Sequence, residues 1–156
     1  MVAMSMLLFY VGENGYAIES QPILRIIPAV ALKKMPLAPP YFAGLLNFGG
    51  KAIPVIDFCQ LIEQRATAHV LSSRIILVQD PDAKHLLGIL GEKVQDLLPD
   101  RIEMLPQSHF HLMTFPYLNQ ILIHENQMIQ YLDLREFFRF LSHDLLTLDE
   151  PGNHEF

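Results

Sequence analysis

Apolar residues come in short bursts separated by turn-forming steps. Met6–Val11 is followed by the polar turn Gly12–Gly15 and a second apolar stretch, Tyr16–Ile18. Arg74–Gln79, the turn Asp80–Lys84 and His85–Leu90 repeat that arrangement. Asn-Gly and Asp-Pro-Asp supply the dihedral angles that chain reversals need, so each set predicts a β-hairpin. Ile23–Pro28 predicts a further strand ended by its proline. Gly49-Gly50 can take positive φ and reverse the chain between Leu45–Phe48 and Lys51–Ile56. Glu125-Asn126 does the same between Tyr117–His124 and Gln127–Leu132. The period then changes. Leu134, Phe137, Phe138 and Leu141 form a helical stripe, which predicts a helix from Asp133 to about Ser142. A shorter helix follows Asp57 and stops before Ala66. Pro28, Pro36, Pro39 and Pro40 exclude helix and central strand from the connection they span.

The second hairpin and its helix occur twice. Tyr41–Ile62 aligns with Tyr117–Phe138 without a gap at an offset of 76, pairing Tyr41 with Tyr117, Ile53 with Ile129 and Asp57 with Asp133. Upstream, Ile23–Pro28 resembles Val94–Pro99. We read an internal duplication with halves at about 6–64 and 73–140, joined by the polar linker Arg65–Ser72. The end, 147–156, reads as a flexible tail. Short strands with two short helices give a mainly β fold, built as two similar small barrels or curled sheets. Asp57 and Asp133 each precede a helix. Each is expected to cap it, with a contribution of about 1 kcal/mol.

The totals narrow the function classes. The net charge is −6, and Lys33-Lys34 is the sole adjacent basic pair. That is too little clustered cation for nucleic-acid binding. No apolar run is long enough to span a membrane, and the apolar start lacks the basic flank of a signal peptide. A single cysteine, Cys59, excludes an internal disulfide and suits a reducing compartment. The expected location is the cytoplasm, without membrane insertion.

Candidate chemistry is sparse. His109 and His111 are two apart and His124 lies in the following strand, so the three can be read as zinc ligands or as loop and edge residues; the second reading is preferred. Cys59 sits where a helix dipole lowers a thiol pKa, but it lacks a histidine partner and reads as a helix-surface or semi-buried residue. The Gly49-Gly50 pair lacks the lysine and hydroxyl of a phosphate loop. We expect no catalytic residues, no metal and no cofactor.

Phe9–Ile62 resembles the CheW family. That family's first half has a hairpin with a Tyr-Gly-Ile-like second strand and then a Val-x-Glu-Ile strand. A proline-containing loop follows, then Gly-Val-x-Asn-Leu-Arg-Gly and a strand ending Pro-Val-x-Asp-Leu. The matching parts here are YAI at Tyr16–Ile18, ILRII at Ile23–Ile27 and GLLNFGGKAIPVIDF at Gly44–Phe58. RIILVQ at Arg74–Gln79 and LLGILGEKVQDLL at Leu86–Leu98 extend the likeness, which runs to about Phe140. The resemblance implies a single CheW-like domain over 6–140, with two small SH3-like β-barrel subdomains. It also implies a non-enzymatic adaptor coupling a methyl-accepting chemoreceptor-like protein to a CheA-type histidine kinase.

The chain departs from the family at two places. Arg25 stands where the family has Glu, and Gly49 where it has Arg. Opposite charges at those sites are thus reversed at one and deleted at the other, and an unpaired Arg25 is expected to be exposed. An adaptor in a divergent chemosensory pathway, controlling pili, surface sensing or a second messenger, fits equally well. Ile23, Arg25, Phe48, Gly49, Val94 and Asp96 are the candidate partner-binding residues. Ile23 and Arg25 are placed on one face and Phe48 at an exposed hairpin tip. Ile23 and Val94 read equally well as core. Two other functions stay open: a regulatory β module acting without a kinase, and a small metal- or ligand-binding β-barrel protein.

Overall fold

β1 (Met6–Val11) is apolar on both faces, and β2 (Asn14–Glu19) returns against it with Phe9 opposite Tyr16. In this computed structural model, which describes residues 5–68, 71–82, 84–97, 103–105, 115–118 and 120–144, three more strands follow. They are β3 (Ile23–Pro28), β4 (Phe42–Phe48) and β5 (Lys51–Asp57), the last leading directly into α1 (Phe58–Glu63). The second half runs β6 (Arg74–Gln79), β7 (Leu86–Gly91), β8 (Val94–Leu97) and a short β9 (Glu103–Met104). It ends with β10 (Gln120–His124), β11 (Gln127–Tyr131) and α2 (Leu134–Asp144). Both second hairpins turn through two consecutive positive-φ residues, Gly49-Gly50 and Glu125-Asn126. Such a turn matches the strands' own twist.

The strands form two sheets, ordered β8-β1-β2-β11-β10-β9 and β3-β6-β7-β5-β4. The halves of the sequence therefore do not build one sheet each. The leading hairpin of each half is inserted into the sheet of the other half. Each insertion has one antiparallel joint, β1 to β8 or β6 to β3, and one parallel joint, and the parallel joints occupy equivalent places. Tyr131 lies opposite Ala17 in the first sheet, and its repeat mate Val55 lies opposite Gly88 in the second. The physical reason is that β1 and β6 are buried on both faces and need neighbours that their own half does not supply. Parallel pairing in turn requires a long crossover, which the rest of the chain provides. At Gly88 an added Cβ would lie 2.9 Å from Val55 Cγ2 and 3.0 Å from Ile75 Cγ2, so close packing there requires glycine.

Neither sheet closes into a barrel, in contrast to the barrel expectation. The second is strongly curled. The segment after β3 reaches β4 through reciprocal Lys33–Leu45 backbone bonds of 2.9 Å, and the Arg25 guanidinium of one edge strand lies 5.7 Å from the Phe48 ring centroid of the other. Pro54 is accommodated inside β5 because pairing with β7 begins only at Val55.

Three apolar clusters result. Met6, Leu8, Ala17, Leu122 and Ile129 pack within the first sheet. Leu46, Ile53, Val55, Ile75, Leu77 and Leu90 pack within the second. The largest cluster lies between the sheets and includes both helices, with Phe58 in edge contact with Phe9, Tyr16 and Phe137.

Candidate partner-binding surface

Two aspartates fix the ends of the second hairpins in the same way. The Asp57 amide donates to the Tyr41 carbonyl and the Asp133 amide to the Tyr117 carbonyl, both at 2.8 Å. Asp57 Oδ1 accepts from the Gln60 amide at 3.1 Å, and Asp133 Oδ1 from the Glu136 amide at 3.2 Å. These are N-cap bonds, and they orient each helix against the central cluster. Asp57 does more. Its carboxylate also accepts from the Thr67 amide at 3.0 Å and the Thr67 hydroxyl at 2.5 Å, tying the inter-half linker to α1.

The candidate contact residues are placed unevenly. A β-bulge between Ile23 and Arg25 puts Ile23 opposite Val78 and Arg25 opposite Leu77. Val78 belongs to the central cluster and Leu77 to the second sheet's own cluster. Ile23 and Arg25 therefore lie on opposite faces, not one, because the extra residue breaks the strand's two-residue period. Leu24, at the irregularity, is 52% exposed. Ile23 and Val94 are half-buried against the central cluster. They are also repeat mates in register, with Ile23 opposite Val78 and Val94 opposite Phe9. Asp96 lies on β8 opposite Leu7. Phe48 is half-buried rather than free at the hairpin tip, since it packs on the second sheet's cluster and under exposed Arg25. Gly49 has φ of +59° with open space where a Cβ would be.

β3 and β8 are edge strands of different sheets, and they approach one another. Leu7, Ile26, Arg74, Lys93, Val94 and Gln95 line a groove of about 400 Å³ between them. Ile26, 39% exposed on its wall, was not among the candidates. The bulge that turns it toward the groove leaves no signature in a sequence of alternating aliphatics.

The titratable groups favour structure over chemistry. Cys59 is fully buried, deeper than expected, and burial pushes its thiol pKa up, the opposite of nucleophile activation. Burial, then the nearby Glu63 and Cys59, pushes the Tyr16 phenol up to about 12; burial alone does the same for Tyr117. In both cases the folded state favours the protonated phenol. That stability is complete below the unfolded pKa of about 10. It is lost as pH rises toward 12. Alkaline unfolding monitored by near-ultraviolet absorbance should therefore release these phenols together with loss of fold, whereas early titration with the fold intact would contradict their burial. His124 is buried at the end of β10, while His109 and His111 lie outside the described residues. Among the described residues no group of three metal-ligating side chains is assembled, and no helix is long and apolar enough to cross a membrane.

A profile of the CheW-like domain matches residues 5–142. The chain belongs to the CheW-like family. CheW-like domains are non-enzymatic scaffolds of chemotaxis. The chain is 27% identical over 90 residues to a chemotaxis protein CheW of Rhizobium meliloti (strain 1021). That match covers 58% of this chain and spans 57% of the relative's length. The crystal structure of the scaffolding protein TtCheW from Thermoanaerobacter tengcongensis superposes with a TM-score of 0.76 at 23% identity, covering 93% of this chain and 99% of that one.

Proposed function

We propose that this CheW-like chain is an adaptor that holds a CheA-type histidine kinase and a methyl-accepting chemoreceptor-like protein together in the cytoplasm. The observation that carries the reading is the CheW-like match through residues 5–142, nearly the whole chain. Supporting it, β3 and β8 give the surface two edges related by the repeat, one from each half, flanking a groove. An adaptor needs two such places, because it must hold both partners at once through a few apolar anchors with polar surroundings. Co-purification of the chain with the kinase and a receptor from the same genome tests the reading. A ternary complex is expected, and capture of neither protein would sink it.

Arg25 and Gly49 set which partners fit. Restoring the family pattern with Arg25→Glu and Gly49→Arg should leave a folded protein, at a cost of about 1 kcal/mol for a side chain in the left-handed region. Affinity for the native kinase or receptor should fall about tenfold, equivalent to 1.4 kcal/mol. Titration calorimetry measures this directly, and unchanged affinity for both partners would place these two positions outside the recognition surface.

A further inference from the structure

Charge on this chain is segregated. The chain carries a net −6, yet residues 20–56 contain no aspartate until Asp57, no glutamate, and four cations: Arg25, Lys33, Lys34 and Lys51. Folding keeps several of them near the β4–β5 hairpin. Arg25 stacks over Phe48, Phe48 is the cross-strand partner of Lys51, and Lys33 is bridged to β4 at Leu45. The hairpin's other flank is also cationic. Lys51, Lys84 and His85 line a cleft of about 400 Å³ that has no carboxylate in its walls. Among the described residues, none of Arg25, Lys33, Lys34, Lys51 or Lys84 forms an ion pair. In the turn that carries Lys84, Asp82 pairs with Arg135 at 2.8 Å and Asp80 accepts from the Asp82 amide at 2.9 Å.

We infer that the β4–β5 hairpin of the second sheet, with Arg25 over Phe48 and Lys51 beside Lys84, docks an acidic segment of a partner protein whose carboxylates flank an apolar side chain. The inference rests on the adaptor reading and gives the partner's chemistry. A guanidinium stacked on a ring keeps its edge donors free for a carboxylate, so Arg25 serves as both wall and anion contact. The lysines add a field that steers an acidic partner and rejects a basic one. Leu24, 52% exposed at the bulge beside Arg25, adds apolar surface for the same segment. An anionic membrane is a weaker match. The chain's net charge of −6 is repelled by such a surface.

The experiment uses the full chain and its Lys51→Glu/Lys84→Glu variant, with Lys51→Arg/Lys84→Arg as the conservative control and thermal melts to verify folding. Three probes are titrated at low and high salt: the kinase of the same genome, a labelled Glu-Leu-rich peptide with its Lys-Leu-rich counterpart, and phosphatidylcholine vesicles with or without phosphatidylserine. The acidic peptide and the kinase should each bind about tenfold or more weaker to the Glu variant, the Arg variant should keep its affinity, and salt should erase the preference. Kinase binding that ignores both variants and salt, with no preference between the peptides, overturns the inference and leaves the adaptor reading standing. Charge-dependent binding of the acidic peptide without any kinase binding supports the inference and removes the kinase from the adaptor reading. Retention on phosphatidylserine vesicles with indifference to the peptides overturns it in favour of a lipid surface.

Discussion

Phe58→Ala should cost about 3–5 kcal/mol, the usual price of removing a fully buried aromatic side chain. That is a large share of the roughly 5–15 kcal/mol that holds a domain together. Phe58 is the first residue of α1 and is fully buried. Its ring meets Phe9 at 5.2 Å, Tyr16 at 4.9 Å and Phe137 at 6.0 Å between centroids. The first two belong to the inserted hairpin of the first sheet and the third to the helix of the second half. Removing one ring therefore loosens contacts between both sheets and both halves. Urea unfolding should show a much lower midpoint, with Phe58→Leu intermediate and the exposed Met128→Ala close to wild type. A Phe58→Ala midpoint equal to that of wild type would show that the central cluster does not hold the sheets together.

Asp57→Ala should cost about 2–4 kcal/mol. The loss combines a cap worth about 1 kcal/mol with about 1–3 kcal/mol for donors left unsatisfied in a buried site. The donors are the Thr67 amide and hydroxyl, and Thr67 is itself buried. Asp133→Ala should cost about 1 kcal/mol, because among the described residues its carboxylate receives one bond, from Glu136. A double-mutant cycle between Asp57→Ala and Thr67→Ala should be clearly non-additive. Equal losses at the two aspartates, or additivity in the cycle, would mean that the linker bonds contribute nothing beyond the cap.

The equal weight that the sequence suggested for the two caps illustrates what was legible. Asp57 and Asp133 could be paired by their spacing, and their backbone bonds to Tyr41 and Tyr117 repeat that pairing in space. Thr67 lies in the polar linker, where nothing in the sequence separates a solvated hydroxyl from one folded back onto a carboxylate. Although the first turn falls at Gly12-Glu13 and the expected turn pair Asn14-Gly15 lies within β2, the hairpins and both helix starts followed from local chemistry, because turn dihedrals and apolar period act over a few residues. The exchange of hairpins between sheets did not. It is decided by which edge buries β1 and β6, a long-range choice invisible to periodicity. The bulge at Leu24 belongs to the same class: one extra residue between Ile23 and Arg25 reverses the face of Arg25. Among the candidate contacts, charge type could be read at Arg25 and Gly49, whereas the stacking of Arg25 on Phe48 depends on the curl of a sheet.

The exchanged hairpins also govern when the protein can fold during synthesis. The ribosome delivers β2 before β11, and β2 cannot gain its parallel neighbour until β11 has emerged. β5 waits likewise for β7. All strands of the second sheet are present once β7 has emerged, whereas the first sheet stays incomplete until β11 follows. Until β11 emerges the edge of β2 stays unpaired, and that is the period in which a holding chaperone has most to bind.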